Sequence, residues 1–167
     1  MPAEPRVRTS PSDPSPGDVT FEARILTASR ALVGIAARSL ADLETDVTLQ
    51  QYRALVLLAQ FGERRMTELA NALAIHPSTT SRLCDRLAVK GLIDRGPAQD
   101  SRREVVVGLT VTGRTVIDSV TKARQREIAS IASKIPAGER AGLLHAFEIF
   151  ATAAGELPDE AWKLGWS

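Results

Sequence analysis

Between positions 77 and 86 the chain carries Pro77, Ser78, Thr79, Ser81, Arg82 and Arg86, short hydroxyl side chains followed by cations at helical spacing. Hydroxyls and guanidinium groups are the donors that phosphate oxygens and base edges accept from. Steps of about 100° per residue put Thr80, Leu83, Cys84 and Leu87 on one stripe, and Ser78, Arg82 and Asp85 opposite. The apolar stripe predicts a buried side. The opposite side is small at its start, so a backbone can approach closely there. It then carries Arg82, which can pair bidentately with a guanine edge in a major groove about 12 Å wide. The start of such a helix also favours phosphate. Hydroxyls favour helix starts for capping alone, so Ser78, Thr79 and Ser81 carry no function without their surroundings. Arg86 reads as a phosphate contact or as a local partner of Asp85.

A second set of candidates follows: Arg95, Ser101, Arg102 and Arg103, spread over two β-prone runs, residues 92–95 and 104–109, and the polar loop with Gly96 and Pro97 between them. Two such runs around a loop predict a hairpin. Arginine at a hairpin tip is drawn to the negative potential of a narrow minor groove, although loop arginines in water look the same in sequence.

Other chemistry is poorly supported. One cysteine, Cys84, excludes an intramolecular disulfide, and with His76 and His145 far apart a metal site is not expected. No nucleophile elbow, phosphate loop or metal-ligand spacing occurs, and carboxylates such as Asp94 and Asp100 fall in the hairpin, so neither an enzyme nor a bound cofactor is expected.

The elements that must position these groups are legible from periodicity. Residues 19–43 place Phe21, Ile25, Leu32, Ile35, Ala36, Leu40 and Leu43 at three- and four-residue steps, an amphipathic helix. Residues 48–60 are apolar around most of a helical circumference and belong in the centre. A short helix over 66–73, a turn at 74–76 and a helix from Pro77 to Lys90, stopped by Gly91, form a helix-turn-helix. The basic hairpin after it is a wing. A long helix over 112–134 and a last one opened by Pro136, with Leu143, Leu144, Phe147, Phe150 and Ala154 on one face, complete the chain. The fold class is therefore mainly α: a winged helix-turn-helix of about six helices with a two- or three-stranded wing.

Composition sets the bounds. The 167 residues are 44% apolar and only 4% aromatic, which suits close-packed helices and leaves room for one domain, or for one domain plus an appended interaction module. Net charge is +1, so any DNA contact must come from a local patch. Arg82, Arg86, Lys90, Arg95, Arg102 and Arg103 against Asp85, Asp94 and Asp100 supply one. Residues 1–18 hold five of the nine prolines with Arg6 and Arg8 and read as a disordered tail. Residues 156–167, with Trp162 and Trp166, read either as a tail or as an interface cap. Without an apolar run of about 18 residues or a signal peptide, a cytoplasmic protein without membrane contact is expected.

The stretches "TLQQYRALVLLAQFG", "MTELANALAIHPSTTSRLCDRLAVKGLIDR" and "DSRREVVVGLTVTGR" together resemble the MarR family of bacterial transcriptional regulators, in matching order over roughly residues 20–155. The resemblance implies a DNA-binding part at 48–111 within a domain at 19–155, dimerisation helices at 19–43 and 112–155, and a homodimer on a double-stranded, near-palindromic operator, with repression the commoner mode. Carried over by position, Pro77, Ser78, Thr79, Ser81 and Arg82 contact the major groove and an arginine of the wing contacts the minor groove. The family wing reads Asp, any residue, Arg. Counting back from Leu109 and Thr110 puts Ser101 at the aspartate and Arg103 at the arginine, whereas counting forward from Asp100 selects Arg102, so two registers stand open. The resemblance also implies a small aromatic or anionic effector in a cleft beside the winged module, with Tyr52 either lining it or serving as ordinary core.

Two alternatives compete with a ligand-relieved repressor. One is a winged helix turned protein-interaction module, which salt dependence of DNA binding would separate. The other is a redox sensor using Cys84, opposed by the place of that residue on the buried stripe.

Overall fold

The computed structural model describes residues 16–98 and 101–158, with side chains from 20 to 98 and from 104 to 158. Arg6, Arg8, Trp162 and Trp166 lie outside the described residues, as do the side chains of Ser101, Arg102 and Arg103. Six helices and three strands are present among the described residues: α1 (Pro16–Ala41), α2 (Leu49–Phe61), β1 (Arg64–Arg65), α3 (Met66–Leu73), α4 (Pro77–Val89), β2 (Ile93–Ala98), β3 (Ser101–Leu109), α5 (Val111–Ala132) and α6 (Ala137–Ala153). None of these helices is long and apolar enough to cross a membrane. The chain forms two compact units, one through Gly34 and one from Ile35 onward.

In the first unit α1 starts at Pro16, inside the stretch expected to be tail. Proline's fixed φ and missing N–H suit a first helical position, so proline density alone misplaced that boundary. Phe21, Leu26, Leu32 and Val33 of this unit are exposed.

The second unit is built on α2. A capping box opens the helix: the Thr48 hydroxyl accepts the Gln51 N–H at 3.2 Å, and the Gln51 side chain accepts the Thr48 N–H at 3.0 Å. Gly62, at φ 77°, closes it. Nearly every residue between Gln51 and Gln60 is buried, as the all-round apolar pattern predicts. Around it pack Leu69 of α3, Leu83, Cys84 and Leu87 of α4, Leu92, Ile93, Val107, and Val116, Ile117 and Val120 of α5. The sheet runs β1-β3-β2, all antiparallel. Strand β1 adds only Arg64 and Arg65, paired with Val107 and Val106. Between β2 and β3 the register runs evenly from Ile93↔Leu109 to Pro97↔Val105 and then breaks, so that Ala98 faces Ser101 and residues 102–104 form an excess on β3.

Helix α6 has no buried residue, and Leu143, Leu144, Phe147, Ile149 and Phe150 are exposed along it, with Ile128 and Ile131 of α5. The segment after α6, expected to start a tail at 156, instead begins with an anchored residue. The Glu156 carboxylate accepts from Arg53 at 2.6 Å and from the buried Gln60 amide at 3.3 Å. Arg53 beside it holds the carboxyl below the usual glutamate value.

Candidate nucleic-acid interface

Helix α3 ends at Ala74, which takes the left-handed conformation at φ 52° and donates its N–H to Asn71 at 3.1 Å. Two residues later His76 caps α4: its Nδ1 accepts the Ser78 N–H at 3.3 Å and lies 2.8 Å from the Ser78 hydroxyl. Pro77 occupies the first helical position. Together the two caps fix the angle between helices that a sequence can only indicate as "two short helices and a turn". His76 escaped the sequence reading, although its place just before a first-turn proline marks the cap position.

Helix α4 divides as the 100° arithmetic expects. Thr80, Leu83, Cys84 and Leu87 are buried. The Thr80 hydroxyl donates to the His76 carbonyl at 3.3 Å, which satisfies the one polar group on that side. Burial pushes the Cys84 thiol up to about 11. The exposed side presents Pro77, Ser78, Thr79, Arg82, Asp85 and Arg86, with Ser81 half-buried beside them.

Its cations are held differently. Arg95, on β2, bonds Asp85, so the helix and the wing are joined by an ion pair across their outer surface. Asp85 is therefore engaged by Arg95, and Arg86 is not its partner. Among the described residues no carboxylate pairs with Arg82 or Arg86. These two line a polar groove with Thr79 and Leu83, and its other wall is Thr48, Gln50 and Gln51 at the start of α2. That wall was missed in the sequence, where the Thr48–Gln51 spacing announces a cap but gives no hint of which neighbour it faces. Lys90, just after α4, donates to the Asp46 carbonyl and ties the end of α4 to the segment before α2. On the wing, Arg65 of β1 bonds Glu104 of β3.

A second cluster lies between the end of α1, α2 and α5. The Arg124 guanidinium stands 4.7 Å above the centre of the Tyr52 ring, and its Nε donates to the buried Ser39 hydroxyl at 3.2 Å. Its Nη2 is buried without an acceptor. Among the described residues no group of His, Cys, Asp and Glu is arranged to hold a metal.

Comparison with known proteins matches this chain to a family model described as "MarR family" over residues 45–104, which cover α2, the helix-turn-helix and most of the wing. The chain is 29% identical to the HTH-type transcriptional repressor NicR of Pseudomonas putida over 82% of its length and 87% of that protein. It is 41% identical to RV1404 from Mycobacterium tuberculosis, whose crystal structure superposes with a TM-score of 0.81 over 88% of this chain and 99% of that one. A mutant of MepR from S. aureus, solved bound to an oligodeoxyribonucleotide, shares the fold at a TM-score of 0.61 and 21% identity, over 80% of this chain and 97% of that one.

Proposed function

Since this chain belongs to the MarR family of winged helix-turn-helix proteins, and is a DNA-binding transcriptional regulator, we propose that it reads its operator with the free side of α4 and the wing. The observation that carries this reading is the contrast within one surface. Arg95 is neutralised by Asp85, while Arg82 and Arg86 stand beside three short hydroxyl residues with no carboxylate against them. In this assignment Pro77, Ser78, Thr79 and Ser81 allow close approach, Arg82 reads a base edge, and Arg86 with the Thr48–Gln51 end of α2 holds phosphate. Arg102 and Arg103 contact the minor groove or its phosphates, Ser101 supports them, and Arg95 orients the wing through Asp85. The chain acts as a homodimer through α6 and its neighbours, and it represses. That a MepR mutant of the same fold was solved bound to an oligodeoxyribonucleotide supports DNA as the partner; the name of NicR supports repression.

The test is binding to duplex DNA from upstream of the chain's own coding region, against a scrambled duplex, at two salt concentrations. Specific binding of two subunits per site, weakening steeply with salt, is expected. Arg82→Ala should cost on the order of 1–3 kcal/mol and relax preference at one base position. Absence of binding to any duplex even at low salt would sink the reading in favour of a protein-interaction module.

A small effector is supported by one further observation, the buried Arg124 Nη2 without an acceptor above Tyr52. A buried donor left without an acceptor costs free energy, and the carboxylate of a small aromatic acid would satisfy this guanidinium nitrogen. Small aromatic carboxylates should therefore weaken operator binding by the wild type and leave Arg124→Gln unaffected. An equal response of both proteins would remove Arg124 from the effector site.

A further inference from the structure

Helix α6 presents an unusual combination: apolar residues along its length, none of them buried within its own chain, and an end that is nevertheless fixed. The fixing is polar. Gly155 takes φ 74°, and the chain closes on itself through the Gly155 N–H to the Thr152 carbonyl and the Glu156 N–H to the Ala151 carbonyl, both at 3.0 Å. That closure leaves Glu156 little freedom. Its carboxylate receives Arg53 at 2.6 Å and Gln60 at 3.3 Å, two residues seven apart and thus on one face of α2. Gln60 is 3% exposed, so its amide depends on this partner. Among the described residues this is the ion pair that links the end of α6 to another element.

The clasp thus runs along α2 from Arg53 to Gln60, and the start of the same helix stands at the DNA face. Its Thr48, Gln50 and Gln51 share a groove with Thr79, Arg82 and Arg86 of the recognition helix. Between the two ends run 13 residues, about 20 Å of helix, capped at both termini and buried along most of their length. Such a helix moves as a unit.

We infer that Glu156 is a positioning residue for operator recognition: by clasping Arg53 and Gln60 it ties α6 to α2, and through α2 sets the separation at which two recognition helices meet DNA. The inference rests on the homodimer and operator reading above, in which α6 belongs to the subunit interface. Neither Arg53 nor Glu156 touches the groove of Arg82 and Arg86, so the effect falls on geometry between half-sites and leaves the contacts within each half-site alone.

The experiment uses full-length protein and a symmetrised duplex made from the sequence that the wild type selects from a random pool. The half-site separation is shortened or lengthened by one and two base pairs. Wild type should lose at least about tenfold in affinity off the best spacing, since each added base pair turns and displaces the second half-site. Glu156→Ala should bind all spacings within about threefold of one another, while its affinity for a single half-site and its dimer mass in sedimentation stay those of the wild type. Arg53→Gln should behave alike. The charge swap R53E/E156R should restore part of the spacing preference, which a merely structural lesion would not allow, and it keeps the test open where the alanine variant is poorly folded. Spacing preference in both single variants as sharp as in the wild type would overturn the inference. So would an equal loss of half-site affinity or of the dimer, because Glu156 would then serve the fold or the assembly. If the wild type selects no sequence at all, the regulator reading fails first, and this inference with it.

Discussion

At the scale of single residues, the side of α4 proposed to read DNA and the side that packs lie opposite each other on one helix, and Cys84 is the residue where they are easiest to confuse. Its neighbours on the exposed side are candidate DNA contacts, yet its own side chain is fully enclosed and burial pushes the thiol up to about 11. It is the thiolate that attacks peroxides and disulfide reagents. At neutral pH the native protein should therefore show no fast-reacting thiol, and unfolding in guanidinium should expose one. Because the unfolded chain ionises this thiol near 9 and the folded one near 11, its contribution to stability is intact below 9 and is lost as pH rises towards 11. Stoichiometric labelling of the folded protein at pH 7, or operator binding abolished by peroxide in the wild type and spared in Cys84→Ser, would reinstate the sensor reading. The buried stripe was legible because 100° arithmetic depends only on spacing. The pairing of Arg95 with Asp85 was not, since it joins side chains ten residues apart whose meeting depends on how the wing folds back on α4. The anchoring of Glu156 was hidden for the same reason, at a separation of 96 residues from Gln60.

At the scale of elements, the wing has to be joined rigidly to α5 if arginines at its tip are to be held in a groove. The joint is tight. The Thr110 hydroxyl accepts the Gly113 N–H at 2.9 Å as the cap of α5 and donates to the Gly91 carbonyl at 2.7 Å, while the Thr110 N–H reaches the Leu92 carbonyl at 3.2 Å. Gly113 fits against that carbonyl only because it has no side chain: a Cβ there would lie 2.1 Å from the Leu92 oxygen and 2.7 Å from the Leu109 side chain. Backbone cannot yield as a flexible side chain can, so Gly113→Ala should destabilise the fold by about 3 kcal/mol, near the upper end for overpacking. Denaturant midpoints at unchanged slope would measure it, and an unaltered midpoint would mean that α5 can slide. Helix order and boundaries were readable to within a few residues because amphipathic periodicity, Pro77 and Gly91 all pointed the same way. Strand β1 was not readable: two arginines have no periodicity, and their extended form comes from pairing with Val106 and Val107. The start of α1 was hidden because Pro16 looks the same in a tail as at a first helical turn.

At the scale of the whole molecule, the surplus is apolar. A soluble monomer seldom leaves a row such as Leu143, Leu144, Phe147, Ile149 and Phe150 in water on a helix that buries nothing of its own. The sequence displayed Leu143, Leu144, Phe147 and Phe150 of this row as one face, and the family resemblance supplied the second copy of the chain that would cover it. Folding energetics alone could not, because a helix face records that something packs on it without recording what. If the occupant is a second subunit, Phe147→Glu should dissociate the dimer, since the substitution places a charge in an apolar contact, while the winged core, to which α6 contributes no buried side chain, keeps its secondary structure and its thermal transition. Operator affinity should then fall far more than affinity for an isolated half-site, because the second half-site no longer benefits from the high effective concentration that linkage provides. Sedimentation of wild type and variant at micromolar concentration, read together with both DNA titrations, decides the matter. A variant that stays dimeric would place the interface elsewhere, and a wild type that sediments as a monomer would leave this face for a different partner.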